Sequence, residues 1–309
     1  MRCPVCETGE AERYRDVDRV RYFRCAACGS LFADPKFLAQ VEAGAASAYA
    51  DEYWRNELGP ARERCFGAAV LRVAETIAYC RIPIHAFIDI GAGTGWLLDA
   101  LAELLPEAIG RFHAIELYPP PQEHRTRHPN YIVGSLDNLS ITFDAGVCIE
   151  VIEHLTPMTL RALVAQLARR SRPGSLYLFN SGQPTFVEHE DPAYLDPHRR
   201  GHVVSYSVAG ASSVFNPAGF NVIALPGRYW AFLAEFGPQQ SIDEDALISR
   251  LWHPVEENAA MLGGARFGAL MRSAGIDTAR AYLPRVTAPA MSAHVQARRF
   301  RLWRKRAGQ

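Results

Sequence analysis

Lysine is almost absent from this chain of 309 residues, standing only at positions 36 and 305, and its 33 Lys and Arg are matched by 33 Asp and Glu. A formal net charge of zero excludes the strongly basic surface on which a nonspecific nucleic-acid binder relies, although it leaves room for a local patch. No uninterrupted apolar run approaches the roughly 20 residues of a membrane-spanning helix. No apolar segment precedes Cys3 either, so the expected compartment is the cytoplasm, with no membrane partner. A disulfide framework is also missing: the seven cysteines are odd in number, and Cys65, Cys80 and Cys148 are scattered. The chain lacks the dinucleotide fingerprint G-x-G-x-x-G/A, because the position that must be small is occupied by Trp96.

What is present centres on Phe87-Ile88-Asp89-Ile90-Gly91-Ala92-Gly93-Thr94-Gly95-Trp96. Phe87, Ile88 and Ile90 suit a strand buried on both faces, and Leu97, Leu98 and Leu101 recur at helical spacing. Glycines at the turn allow positive φ and close approach of a ligand, while the following helix aims unpaired N–H groups at the same place. About 20 residues onward, His113-Ala114-Ile115-Glu116 reads as a second strand ending in a carboxylate suited to ribose hydroxyls.

This order resembles the class I S-adenosylmethionine-dependent methyltransferases. The resemblance continues through Tyr131-Ile132-Val133-Gly134-Ser135-Leu136-Asp137, then Phe143 to Leu155 with Glu150-Val151-Ile152-Glu153-His154, then Leu176 to Phe179 after an Arg172-Pro173-Gly174 turn. It covers roughly residues 50 to 225. It implies a doubly wound, mostly parallel seven-stranded α/β sheet with strand order 3-2-1-4-5-7-6, strand 7 antiparallel. It also implies that Asp89, Gly91, Gly93, Gly95, Glu116, Ser135, Leu136 and Glu150 line the cofactor, with Tyr53 laid over it. Ser135 departs from the aspartate commoner at that position.

Cys3-Pro4-Val5-Cys6 and Cys25-Ala26-Ala27-Cys28 have the spacing of a tetrahedral zinc site. The segment between them, with Tyr14, Val17, Val20, Tyr22 and Phe23, suggests short strands around an Asp16-Val17-Asp18 turn in a ribbon that folds with its metal. It looks like the small zinc ribbons at the front of some bacterial methyltransferases. Its arginines and aromatics are offset by Glu7, Glu10, Glu12, Asp16 and Asp18, so a structural or substrate-facing use is favoured over base stacking.

Glu150 and Glu153 share a helical face with His154 if a helix begins there, and His202 follows downstream. E-x-x-E-H with a later His is similar to metal-assisted O-methyltransferases, in which such side chains hold a divalent ion, Mg among them, that binds substrate hydroxyls. The reading preferred to that ion is a metal-free helix start whose N-terminus favours acidic residues, with His154, His189 or His202 as general base. The insertion from Ser181 to His202, rich in Pro, Asp and His, reads by default as a solvated loop, with a mobile substrate-binding lid as the sharper reading. Val208 to Phe215 reads as a helix and Gly219 to Leu225 as a sixth strand.

Three segments follow: a ribbon over 1–38, a cofactor-binding domain over 39–226, and a helical extension over 227–309 as substrate or dimer wall, with the oligomeric state open. Arg298 to Arg306 forms the one dense basic run. The expected activity is methyl transfer to the O or C of a small acceptor such as a sugar or polyketide. The competing readings are an RNA methyltransferase gripping phosphates through ribbon and tail, and a cofactor-binding regulator without turnover.

Overall fold

The computed structural model describes residues 1–44, 51–237 and 242–271, the side chains of 51–56 excepted. Residues Met1–Gly263 form one unit, while Gly264 opens a second whose described part is helical over 265–271. The run Arg298 to Arg306 and Tyr53's side chain lie outside the described residues.

The chain begins with β1 (Ala11–Val17), β2 (Val20–Cys25) and β3 (Leu31–Ala33). Asp18 and Arg19 take φ of 48° and 68° to turn β1 into β2, so the hairpin reverses just after the turn expected from the sequence. Asp34 then caps α1 (Pro35–Glu42), accepting from Lys36 N, with Pro35 in the first turn. Next come α2 (Asp51–Phe66) and α3 (Ala68–Tyr79), the latter burying Ala69, Val70, Val73 and Ile77 as their spacing requires.

The central sheet follows as β4 (Phe87–Ile90), α4 (Trp96–Leu104), β5 (Phe112–Glu116), β6 (Tyr131–Val133), β7 (Phe143–Ile149), α5 (Pro157–Arg169) and β8 (Ser171–Asn180). After α6 (Pro184–His189), β9 (Val204–Ser205) and α7 (Val208–Phe215), the sheet closes with β10 (Phe220–Ala224) and β11 (Ala231–Phe236). Helices α8 (Glu244–Trp252) and α9 (Glu256–Leu262) complete the first unit, and the helical pattern breaks at Gly263 and Gly264 as expected.

The seven strands lie in the order β10-β11-β8-β7-β4-β5-β6, with β11 antiparallel to both neighbours and the others parallel. Read by strand number within this sheet, that is the expected 3-2-1-4-5-7-6. The seventh strand comes from the apolar cluster around Phe232, Leu233 and Phe236, at the start of the stretch read as a helical extension. Right-handed crossovers running outward in opposite directions from β4 and β7 put α4 and α5 on opposite faces. Accordingly α3 packs on β7, β8, α4, α8 and α9, while α5 packs on α7, which lies on β10. The strand order reverses between β4 and β7, and a ligand crevice is expected at their carboxyl ends.

A second, four-stranded sheet has the order β1-β2-β3-β9. Its last strand comes from the far side of the chain, so the cysteine module shares a sheet with the segment that carries His202.

Candidate active site

Five strand ends converge on one rim. After β4, Gly91, Gly93 and Gly95 adopt φ of 71°, 55° and 73°. A Cβ on Gly91 would come within 2.5 Å of Val151, and one on Gly95 within 2.5 Å of Tyr131, so positive φ and close packing together require glycine there. Glu116, at the end of β5, accepts from Gly93 N (2.7 Å) and Tyr118 N (2.8 Å), and Tyr131 Oη donates to Gly93 O (2.6 Å). The glycine turn is thus braced from β5 and β6.

Along this rim runs a cavity of about 660 Å³, within the usual range of roughly 300 to 1,000 Å³ for ligand pockets, lined by Asp89, Gly91, Gly93, Glu116, Ser135, Leu136 and Glu150 among others. Asp89 is almost fully buried, and burial, reinforced by the charge of Glu116, pushes its carboxyl up to about 7. Ser135 caps a short turn, its N–H and hydroxyl both turned to Asn138 Oδ1. Of the sequence-expected cofactor residues whose side chains are described, all but Gly95 line this cavity. Its lining also includes Glu57, Ala61, Arg64 and Cys65 of α2.

After β7 the chain does not start a helix as the carboxylate spacing had suggested. Glu150 has φ of 55°, a left-handed conformation that is strained for a side chain of its size, Ile152–His154 make a single tight turn, and α5 begins at Pro157 under a Thr156 cap. Thr156 followed by Pro157 is the stronger start signal. The two carboxylates consequently do not share a helical face, although their side chains stay close enough to couple. Glu150 lines the cavity and accepts from Asn180 Nδ2 (2.6 Å), whose Oδ1 accepts from Arg72 Nε (3.1 Å). Glu153 turns inward and is fully buried.

Around Glu153 lies the second chemically distinctive cluster. Ligand atoms of Glu153, His154 and His202 lie within 4.8 Å of one another, and the imidazoles of His154 and His202 are 4.9 Å apart. Neither oxygen of Glu153 finds a hydrogen-bond partner among the described residues. His202 Nδ1 is 2.8 Å from Tyr194 O, and His154 Nδ1 is 3.2 Å from Gly201 O. A carbonyl only accepts, so each Nδ1 carries the proton, and a neutral imidazole then offers its Nε2 lone pair. Burial holds His154 down at about 4, and burial with the neighbouring His154 holds His202 well below its ordinary value, so both are neutral at pH 7. Burial and Glu150 raise Glu153 well above the usual carboxylate range. Histidines whose other nitrogen donates to a backbone carbonyl, gathered round an unpartnered carboxylate, have the donor chemistry of a cation site.

The insertion from Ser181 to His202 is pinned where the sequence suggested a lid. Val187, Tyr194 and Leu195 are buried, Arg24 pairs with Glu188, and His198 Nε2 reaches Asp18 O at 3.2 Å. Tyr194, the carbonyl partner of His202, and Asn180, the donor to Glu150, have no motif to mark them in the sequence.

The four sulfurs of Cys3, Cys6, Cys25 and Cys28 lie within 4.8 Å of one another, with Cys3–Cys28 at 4.0 Å and Cys6–Cys25 at 3.6 Å. Zinc–sulfur bonds of about 2.3 Å in a tetrahedron place sulfurs roughly 3.8 Å apart, so the cluster has the right size. Backbone N–H groups of Val5, Gly9 and Cys28 point at Cys3, Cys6 and Cys25 sulfurs at 3.3 to 3.4 Å, an arrangement that favours thiolate.

Residues 88–179 match the family model of a methyltransferase domain. None of the curated proteins matches the chain. Among solved structures, Streptomyces venezuelae DesVI is similar at 18% identity and a TM-score of 0.45, over 59% of this chain and 97% of that one. Micromonospora echinaspora CalS10, an amino pentose methyltransferase with S-adenosylmethionine bound, is similar at 18% identity and 0.43, over 59% and 95%. The Burkholderia thailandensis 1,6-didemethyltoxoflavin-N1-methyltransferase is similar at 16% identity and 0.44, over 74% and 100%.

Proposed function

We infer that this chain, a class I S-adenosylmethionine-dependent methyltransferase, methylates a small hydroxyl-bearing acceptor held beside the cofactor by a divalent ion on Glu153, His154 and His202. The buried Glu153 carboxylate, with both oxygens unpartnered and His202 Nε2 4.0 Å away, carries this reading. A buried carboxylate beside a second one, Glu150, is too costly to keep charged, so the site calls for a proton or a cation, and two neutral imidazoles favour the cation.

S-adenosylmethionine supplies a methyl already activated by its positive sulfur. Glu116 would hold the ribose, Leu136 and Ser135 the adenine side, and Asp89 the cationic methionine end. A bound divalent ion lowers the pKa of a hydroxyl placed on it. In the transfer the acceptor oxygen would bond to the methyl carbon as the S–CH3 bond broke, leaving S-adenosylhomocysteine, and the hydroxyl proton would pass to solvent. The chain's own contribution is alignment and exclusion of water, since the insertion and α2 wall the cavity. His154, protonating only near 4, is too weak a base to abstract the proton and suits the ligand role. Imidazole nitrogens favour a borderline ion such as Fe2+ or Zn2+ over Mg2+, and Mn2+ serves as the spectroscopic probe of the site.

The cysteine module would hold one structural zinc. Three of its arginines pair with carboxylates, Arg13 and Arg21 with Asp16 and Arg24 with Glu188, which favours a structural use over nucleic-acid contact. No helix among the described residues is long and apolar enough to cross a membrane.

The test is Mn2+ titration followed by electron paramagnetic resonance, in parallel with calorimetric S-adenosylmethionine binding. Wild type should take up Mn2+ in the micromolar range, while Glu153→Gln should lose it and keep its cofactor affinity. Equal Mn2+ uptake by both proteins would overturn the cation site, and absence of cofactor binding would overturn the wider reading.

A further inference from the structure

We propose that the cysteine module is a positioning element of the Glu153, His154 and His202 cluster, acting through Tyr22 and β9. The proposal rests on the cation-site reading above and extends it to a part of the chain that does not line the cavity.

The contacts concentrate on His202 and its neighbours. Tyr22, fully buried in β2, donates its hydroxyl to His202 O at 2.7 Å. Val203 is bonded in both directions, its N–H to Glu153 O (2.8 Å) and its carbonyl to Ala33 N (2.8 Å). One residue therefore ties the end of β3 to the main chain of Glu153. Immediately beyond it, β9 pairs with β3 as Phe32↔Val204 and Leu31↔Ser205. Ser207 then donates its hydroxyl to Cys28 O and its N–H to Ser30 Oγ, so the second cysteine pair holds the far end of the same segment. The approach is tight: a Cβ on Gly210 would meet Ser30 Oγ at 2.0 Å.

These bonds give the module an unusual place in the molecule. Its apolar side chains, Val5, Tyr22, Leu31 and Phe32 among them, are buried in the same core as the central sheet, and four thiolates closed on a metal would add the closure of its two cysteine turns. Order in β3 then passes to β9 and the His202 peptide. The imidazole plane is set by Tyr194 O, but the backbone from which it hangs is set by Tyr22. The cofactor side depends on it less, because Asp89, Glu116 and the glycine turn belong to the central sheet, while Val203 and its neighbours reach the same cavity from the module's side. Loosening the module should thus move the cation cluster and leave cofactor binding intact.

The experiment uses the full-length, zinc-loaded chain and Tyr22→Phe, which removes one hydroxyl and keeps the ring. Nitrogen-15 histidine spectra, with the His202 signals assigned through His202→Gln, should show one Nδ1-protonated form in wild type and a tautomer mixture in Tyr22→Phe. Mn2+ affinity should weaken about tenfold, the lower end of what loss of an outer partner of a metal ligand costs, with zinc content and S-adenosylmethionine affinity unchanged. Where wild type binds Mn2+, either readout left at its wild-type value overturns the proposal. If wild type takes up no Mn2+ that Glu153→Gln abolishes, the cation reading falls by itself. The His202 signals then decide the positioning role alone, a mixture supporting it and an unchanged spectrum sinking it. Should Tyr22→Phe lose zinc, Ser207→Ala, which removes the bond to Cys28 O, is read by the same two criteria.

Discussion

Glu153 Oε1 and His202 Nε2 face each other across 4.0 Å of the protein interior, and both are hydrogen-bond acceptors. That pairing is unfavourable in an empty site and favourable around a cation. Glu153→Gln should therefore raise the melting temperature of the metal-free chain at neutral pH by a few degrees, because a carboxyl with a raised pKa no longer has to be buried. The same change should lower turnover of a hydroxyl acceptor by at least about 100-fold, consistent with loss of a metal ligand. Thermal scanning and initial rates read the two effects separately. A variant both less stable and inactive would point to a purely structural Glu153.

Asp89 gives the cofactor site a pH dependence with a definite sign. Its carboxyl, raised to about 7, is largely neutral below that pH and charged above it. The cofactor brings positive charge, so affinity should rise with pH through about 7 and level off above it, falling up to about tenfold per unit on the acid side. Asp89→Asn should bind weakly and without that slope. Calorimetry from pH 5.5 to 8.5 tests this, and a wild-type affinity flat across the range would show that Asp89 does not face the cofactor's charge.

Gly91 links the two halves of the crevice through Val151. Gly91→Ala would force a Cβ to within 2.5 Å of Val151 at a φ of 71°. We expect a stability loss of about 1 to 3 kcal/mol from the backbone conformation alone. Displacing Val151 also displaces Glu150, so cofactor binding and turnover should fall together. Retained turnover after an equal loss of stability would separate the glycine's structural role from the site.

The sheet was legible in the sequence because parallel strands buried on both faces leave short apolar runs, as at Phe87–Ile90 and Phe143–Ile149, and because glycines that must have positive φ punctuate them. The cysteine cluster was legible from spacing alone. The lid was misread because polarity predicts solvation only when no partner is near: Glu188 and His198 are satisfied by Arg24 and Asp18 O, more than 160 residues away in the chain. Long-range pairing of that kind leaves no periodic trace. For the same reason the roles of Tyr22 and Asn180 were invisible, since each depends on one hydrogen bond to a distant residue. The loss of a common helical face for Glu150 and Glu153 depended on a single left-handed residue that no propensity favours at glutamate.

Removal of zinc should be felt beyond the N-terminal segment. The expected metal content is one zinc per chain, lost in Cys3→Ser. Because β9 completes the module's sheet, amide exchange should quicken at Val203, Val204 and Ser205 as well as in β1 to β3, while β4 and β7 keep their protection. Exchange measured by mass spectrometry on wild type and Cys3→Ser reads this directly. Protection retained at residues 203–205 would mean that the module folds against the chain without organising it.

Asn180 offers the sharpest distinction between orientation and charge around Glu150. Its Nδ2 donates to Glu150 Oε1 at 2.6 Å while its Oδ1 accepts from Arg72 Nε at 3.1 Å, so the amide is held with one orientation and Glu150 receives a donor. Asn180→Ala removes the donor, and the carboxylate, already on a strained backbone, loses its orienting bond. Asn180→Asp keeps the bond to Arg72 but sets an acceptor against Glu150. Turnover should fall about tenfold in the alanine variant, the scale of one lost charge-assisted hydrogen bond. It should fall further in the aspartate variant, where two like charges cannot both ionise at that distance and one is driven to protonate. Lowering the pH should then recover activity in Asn180→Asp alone, since the shared proton restores a donor between the two carboxyls. Equal losses in both variants, with no acid recovery, would mean that Asn180 fills space and does not orient the carboxylate.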